Sequence, residues 1–290
     1  MASHSGLLVV AKPAGLTSRQ VVDRVERILR PDRAGHAGTL DPLAVGVLVV
    51  CIGQATRLIE YVQRMPKYYE AEFLFGRASD TEDVSGVVTE LPAPPIPTHS
   101  EVEAAAARFV GTILQRPPAY SALKVQGRRA YDLARSGEQV ELAPRPIDVY
   151  GIDVLAYDYP RLSLRVRCGS GTYIRSLGRD LAQSLGTGAV MAVLVRTAIG
   201  DFKLADACEL DSLQPDDIEA RLLPMVRAVA TLPTVAIDDA ERLTLMQGKT
   251  IRRDGIPAAD EIAALDGAGN LVSLLKPVGD GRFAPLRNFA

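Results

Sequence analysis

Cysteine and histidine are both scarce in this chain, with three of each in 290 residues. Cys51, Cys168 and Cys208 are odd in number and far apart, which excludes a disulfide framework and leaves no CxxC-type metal spacing. His4, His36 and His99 are equally dispersed and form no HExxH arrangement, so no metal site is expected. A GxxxxGK[ST] loop and a GxGxxG turn after a strand are also missing. The usual cradles of a nucleotide are therefore absent from the sequence, and no cofactor is expected. No apolar stretch approaches the ~18 residues that suggest a membrane span. The opening MASHSGLLVV lacks the basic and long apolar regions of a secretory signal, so a cytoplasmic location is expected. An excess of basic charge is lacking too: the formal net charge is −2 and the pI is near 6.0. Whole-chain charge excludes little, however, where basic residues gather on one face.

What is present is ample material for a core. Hydrophobic residues make up 47% and charged residues 23%, in a length that fits one large domain, or one domain plus a smaller appendage. LLVVA (7–11) reads as a buried strand running into the turn KPAGLTS. That turn caps a helix with Val21, Val25, Ile28 and Leu29 at helical spacing and Pro31 beyond it. A strand near 45–50 and a short helix around 55–63 follow. In YYEAEFLFG (68–76), Tyr69, Ala71, Phe73 and Phe75 share one face of a strand. After the loop PAPPIPT (92–98), Ser100-x-x-Glu103 predicts a capping box.

Residues 115–147 are the least core-like part of the chain. Prolines stand at both ends, and Arg116, Lys124, Arg128, Arg129 and Arg135 are interleaved with Tyr120 and Tyr131. This pattern predicts a long excursion able to grip phosphates, with a plain solvated face as the competing explanation. Strands resume around 148–156 and in RLSLRVRC (161–168). GSGTYIRSLGRDLAQSLG (169–186) then reads as a Gly turn, a Thr172 cap and a helix. Strands and helices alternate without a strict βαβ rhythm, which predicts an α/β (α+β) fold: a mixed, largely antiparallel sheet flanked by helices. From about 233 the short strands TVAI, IAAL and NLVSLL accompany an Asp-capped helix in DDAERLTLMQG. Two domains are expected, 1–232 and a small β-rich one at 233–290.

One carboxylate stands out. Residues 35–42 read GHAGTLDP, a Gly-rich turn before the apolar run VGVLVV. Alone, such a turn needs Asp41 only to hydrogen-bond its own backbone. In context, GHAGTLDPLAVGVL closely resembles the catalytic motif of the TruB family of tRNA pseudouridine synthases. KPAGLTS (12–18), KYY (67–69), GRASDTEDVSG (76–86), QRPPAYSALKVQGRRAYDLAR (115–135) and CGSGTYIRSLGRDLAQSLG (168–186) resemble that family's other motifs, in the family's order. The tail from about 233 is similar, more weakly, to a PUA-type RNA-binding domain.

The resemblance implies a pseudouridine synthase fold and a cofactor-free isomerisation of uridine within RNA, at position 55 in the T stem-loop of tRNA. The N1–C1′ bond breaks, the base rotates, and C5 bonds to C1′. Asp41 matches the family's catalytic aspartate, and Arg175 the arginine that pairs with it. Tyr69 matches the tyrosine that stacks on the flipped base, and Tyr173 the tyrosine near the reacting base. His36 matches a histidine that contacts RNA beside that base, and Leu194 aligns with an apolar pocket residue. Lys12, Lys67, Lys124 and Arg129 are expected to contact the RNA, the first two and Arg129 through phosphates. A monomer acting on tRNA, away from any membrane, is expected.

These residue types suit the chemistry. Flipping a base costs a few kcal/mol, and stacking on an aromatic ring returns roughly 1–3 kcal/mol. Attack at C1′, addition at C6 and removal of the C2′ proton each need an ionised carboxylate, which a neighbouring arginine favours. The proton leaving C5 needs a base or a bound water. A cation in the first turn of a helix is mildly disfavoured by the helix dipole, which argues against a casual surface position for Arg175. Tyr69 shares its face with core residues, so core packing and base stacking compete for it.

The chain departs from the family pattern at Ala11, where an acidic residue usually precedes Lys-Pro, and at Val195, where a second basic residue often precedes Arg196. Two alternatives are the catalytic subunit of a guide-RNA particle, and an RNA-folding factor that performs no chemistry. The compact tail speaks against the first and the intact Asp41, Tyr69, Tyr173 and Arg175 against the second. A phosphatase built on GTLD fails, because Ala34 and Gly35 stand where its nucleophilic aspartate would precede the Gly-Thr.

Overall fold

The computed structural model describes residues 4–121, 123–125, 128–129, 142–256 and 258–289. Its central sheet has ten strands: β1 (Gly6–Lys12), β2 (Ala34–His36), β3 (Val45–Ile52), β4 (Lys67–Phe75), β5 (Gly111–Gln115), β6 (Arg145–Asp158), β7 (Arg161–Cys168), β8 (Ala189–Ile199), β9 (Phe202–Lys203) and β10 (Cys208–Glu209). They run in the order β10-β1-β3-β8-β4-β7-β6-β5, with β2 on β3 and β9 on β8. The pairs β1/β10 and β3/β8 are parallel, while the long run from β8 to β5 is antiparallel throughout. The expected mixed, largely antiparallel sheet is what forms.

Burial explains the two kinds of strand. β1 and β3 are covered on both faces, so they are unbroken apolar runs. Leu8, Val10, Leu48 and Val50 pack under Val21, Val22 and Val25 of α1 (Ser18–Ile28), while Leu7, Val9, Val47 and Val49 face the opposite layer. β4 alternates instead. Tyr69, Ala71, Phe73 and Phe75 point inward under α2 (His99–Arg108) and α3 (Ile174–Ser184). Glu70 and Glu72 on the outer face meet Arg165 and Arg161 of β7. Helix α3 lies close on β4 because Gly178 has no side chain: a Cβ there would sit 2.0 Å from the Phe73 ring.

Helix starts follow capping chemistry, with two shifts from expectation. Thr17 and Gln20 box the start of α1. The box on α2 is Thr98 with Glu101, not Ser100 with Glu103. The same spacing occurs two residues earlier, next to Pro97 where the loop ends, and the helix takes the first box available. Tyr173, not Thr172, is the N-cap of α3, and no side chain of its own caps it. A glutamine from β5 binds that backbone instead, as described below. The short helix near 55–63 is a 3-10 turn, Gly53–Leu58, followed by Ile59–Arg64.

A second sheet of five strands follows, in the order Thr234–Ala236, Ile262–Leu265, Leu271–Gly279, Arg282–Asn288 and Ile251–Arg252. Helix α4 (Asp239–Met246) has the expected cap at Asp238, with Glu241 completing the box. This unit has its own apolar cluster, including Leu245, Ile262, Val272 and Leu275. Its other face is not independent. Ala263, Leu271, Leu274 and Phe289 belong to the same apolar cluster as Leu7, Val9, Val47 and Val49 of the central sheet. At the rim, Arg57 donates to the Asn288 carbonyl at 2.7 Å and lies over the Phe289 ring. Arg64 bridges to Glu261 at 3.3 Å.

Within the excursion, Lys124–Val125 pairs with Arg128–Arg129 as a two-residue ladder. The side chains of Lys124 and Arg129 lie outside the described residues. No helix among the described residues is long and apolar enough to cross a membrane, and among them no cluster of His, Cys, Asp or Glu is placed to hold a metal ion.

Candidate active site

Asp41 sits between β2 and β3 on a loop with no ladder of its own, so its backbone groups need other partners. KPAGLTS supplies many of them. Ser18 Oγ accepts from the Leu40 N–H at 2.8 Å and lies 3.2 Å from the Leu40 carbonyl. The Gly15 N–H donates to the Pro42 carbonyl at 2.8 Å. Lys12 Nζ donates to the carbonyls of Ala44 at 2.7 Å, Pro13 at 2.9 Å and Pro42 at 3.4 Å. From below, Arg196 on β8 donates through Nε to the Val47 carbonyl at 2.7 Å, and through its two Nη atoms to Gly38 at 3.0 Å and Thr39 at 3.3 Å. The loop is thus pinned on both sides of the aspartate. Gly46 permits this approach: its φ is +106°, and a Cβ would fall 2.2 Å from the Arg196 carbonyl oxygen.

The Asp41 side chain remains accessible, 36% exposed, and meets a buried cation. Arg175 Nε lies 2.9 Å from Asp41 Oδ2, and the arginine side chain is only 5% exposed. Its other nitrogens are occupied. Nη1 donates to the Thr81 carbonyl at 2.7 Å and lies 3.8 Å from Asp83 Oδ2. Nη2 donates to the Tyr120 carbonyl at 3.1 Å. Asp83 is itself held by Thr81 Oγ1 at 2.7 Å and the Ser85 N–H at 2.9 Å. A guanidinium gripped on three sides holds the carboxylate in one orientation. The 76–86 segment is fixed against α3 by Glu82, which bonds Ser176 and Arg179; burial pushes the Glu82 pKa up.

Tyr69 is buried in the same cluster as Leu40, Ala44, Leu194 and Ile174. Burial raises the pKa of its phenol, while Arg196 beside it acts the other way. It is paired across the sheet with Arg196 and packs in the cluster that includes Leu40, the residue before Asp41. Leu194 lies on β8, opposite Ala71. Tyr173 is half-buried at the start of α3 with Arg145 over its ring at 5.5 Å. Gln115 fixes its backbone from both directions: Oε1 accepts the Tyr173 N–H at 2.8 Å and Nε2 donates to the Tyr173 carbonyl at 3.0 Å. His36 is half-buried on β2, and burial, together with Arg196 and Arg19, pushes its pKa below the usual value. The same surroundings favour the neutral imidazole over the charged one.

Two expected phosphate contacts are placed elsewhere. Lys12 and Lys67 are buried, and their ammonium groups bind backbone carbonyls: Lys12 as above, Lys67 those of Gln63 and Met65. Burial, aided by Arg196, lowers both pKa values to about 8. They brace the loop and the strand, and neither ammonium lies on the surface. Sequence reasoning missed Arg196, Ser18, Gln115 and Asp83 as parts of the site. A single arginine inside the apolar strand AVMAVLVRTAI was the available signal for Arg196, and the quoted motifs already contain the other three.

The sequence matches the description TruB family pseudouridylate synthase (N terminal domain) over residues 26–174 and tRNA pseudouridylate synthase B C-terminal domain over residues 175–230. It is 40% identical over 288 residues to a tRNA pseudouridine synthase B of Dehalococcoides mccartyi (strain CBDB1), covering 98% of this chain and 96% of that one. With the protein of the same name from Xanthomonas axonopodis pv. citri (strain 306) it shares 37% identity over 289 residues, 98% of this chain and 94% of that one. Among solved structures it is similar to a chain of a Cbf5-Nop10-Gar1 complex, with a TM-score of 0.74 and 27% identity over 98% of this chain and 84% of that one. An H/ACA RNP bound to a substrate RNA contains another similar chain, with a TM-score of 0.70 and 28% identity over 93% of this chain and 77% of that one. The sequence match spans the loop of Asp41, the strand of Tyr69 and residues 115–147; with that breadth of agreement, this chain belongs to the TruB family of pseudouridylate synthases.

Proposed function

We propose that this enzyme converts uridine to pseudouridine in tRNA, at position 55 of the T loop, with Asp41 as the group that acts on the nucleotide. The observation that carries this is the accessible Asp41 carboxylate, held by Arg175 on its side chain, with the main chain on either side of it bound by Ser18, Lys12 and Arg196. Family membership supports the reaction, and relatives of nearly equal length named tRNA pseudouridine synthase B support tRNA as the substrate. The Cbf5-Nop10-Gar1 complex and the H/ACA RNP contain structurally similar chains, at lower identity.

In this mechanism the target base leaves its stack and lies on Tyr69, between Leu194 and the Asp41 loop. Asp41 attacks C1′, adds to C6 or removes the C2′ proton. The N1–C1′ bond breaks, the base turns within the pocket, and C5 bonds to C1′ as Asp41 is freed; the C5 proton departs near Tyr173 and N1 takes up a proton. His36, Lys124 and Arg129 serve the surrounding RNA. The catalytic unit spans 1–232, and the PUA-like unit, 233–290, adds a second RNA contact. The protein works in the cytoplasm as a monomer.

The test is tritium release from tRNA labelled at uracil C5, with mapping of the modified nucleotide. Release tied to position 55 supports the assignment, and release from another position overturns the T-loop target. A primary isotope effect from deuterium at C2′ selects the proton-removal route, and its absence rejects that route.

A further inference from the structure

Arg196 is among the largest side chains in the molecule to be completely buried, at 1% exposure. No carboxylate lies within ion-pair distance of it among the described residues; it donates to three backbone carbonyls, and its side chain also meets the Tyr69 hydroxyl. Burying a guanidinium without a counter-ion is costly, and carbonyl dipoles offset only part of that cost. Holding a loop is insufficient reason for a full charge, since a neutral donor also binds carbonyls. The position of the charge is informative. Arg196 pairs with Tyr69 on one side and Gly46 on the other, so it lies beneath the aromatic ring and beneath the catalytic loop together. Its field reaches Lys12, Lys67, His36 and Tyr69, and acts on each in the sense expected of a nearby positive charge.

Isomerisation of uridine makes negative charge at one place besides Asp41. When the N1–C1′ bond breaks, its electron pair stays with the uracil ring and spreads over N1, O2 and O4. The charge is discharged when that pair forms the C5–C1′ bond; the C5 proton then leaves and N1 takes up a proton, so the ring ends neutral. A fixed cation in a dry pocket stabilises such an anion without reorganising. Accepting the assignment of pseudouridine formation to this site, we propose that Arg196 is a positioning residue whose buried charge stabilises the uracil anion as the glycosidic bond breaks. It acts through space and through Tyr69, which stands between it and the base, while Arg175 serves the carboxylate.

The test compares R196M, R196Q and R196K with the wild type in single turnover. T-arm RNA carrying uridine or 5-fluorouridine at the target serves as substrate, and loss of the parent nucleoside is followed after digestion. Fluorine makes uracil a better leaving group and reduces its need for a cation. At saturating RNA, R196M and R196Q should slow uridine loss about 100-fold and 5-fluorouridine loss less than about tenfold, with RNA affinity within about threefold. R196K should recover much of the uridine rate. Melting curves identify the variants that fold, and any soluble neutral variant decides the outcome. Equal losses on both substrates, or lysine no better than glutamine, overturn the proposal by reducing Arg196 to a loop clamp. A wild type that consumes no uridine overturns the functional assignment instead, whatever the variants do.

Discussion

The loop that carries Asp41 and the helix that carries Arg175 are immobilised by opposite means. On the loop side, cations and a hydroxyl hold the main chain: Lys12, Ser18 and Arg196 bind backbone groups around residues 38–47. On the helix side, main-chain carbonyls hold the cation: Thr81 and Tyr120 bind the Arg175 guanidinium. The carboxylate and its partner thus meet as side chains whose supports are mostly backbone. Backbone support tolerates surface sequence change while keeping its geometry, and this suits a site that must present one carboxylate in one direction. The difference also separates effects on chemistry from effects on stability.

The largest effect is expected at the meeting point. Asp41→Asn should abolish turnover in the tritium-release assay while tRNA affinity stays within about tenfold, or about 1.4 kcal/mol; measurable turnover would remove Asp41 from its role. Next is the helix side. Arg175→Met should lower the single-turnover rate about 100- to 1000-fold, with RNA binding changed far less. A larger loss in binding than in rate would show that the helix side grips RNA rather than serving the carboxylate.

On the loop side the expected damage shifts to stability. Gly46→Ala drives a methyl group into β8 at a positive φ, and should cost about 2–4 kcal/mol in urea unfolding. An unchanged midpoint would mean that the loop and β8 are not locked together. Ser18→Ala removes the partner of the Leu40 N–H and should cost about 1–2 kcal/mol, with a modest fall in rate.

The smallest effect is on pH dependence. Lys67 has a folded pKa of about 8 against an ordinary value of 10.5. Between these values the unfolded chain holds the proton more tightly, so this group's contribution to stability rises from pH 8 to 10.5. In Lys67→Met that part of the slope should vanish from melting temperatures measured across the window. An identical slope would mean that the lysine is not held as the structure places it.

Much of this architecture was legible in the residues. The alternation of Tyr69, Ala71, Phe73 and Phe75 and the unbroken run of β3 report how many faces are covered, which is a local property of sequence. The motif around Asp41 and the pairing with Arg175 were legible through resemblance. The burial of Lys12 and Lys67 was not, because a lysine looks the same in sequence whether its ammonium meets water or a carbonyl. For Lys67 a clue existed: it has the parity of Tyr69 and begins the buried face. Arg196 was opaque for another reason. Its partners are backbone atoms about 150 residues away, and a carbonyl has no letter in the sequence. The shifted cap on α2 shows the finer limit, since two overlapping boxes compete and only the chain path selects one.

The apolar cluster shared by the two sheets fixes how far apart they are held. With Leu271, Leu274 and Phe289 packed into the layer under β1 and β3, opening a gap between the sheets would strip apolar surface from both. The second sheet therefore behaves as the fixed jaw of a calliper, at a set span from Asp41. If the second sheet adds the RNA contact proposed for it, an RNA touching both ends must supply that length in its own fold.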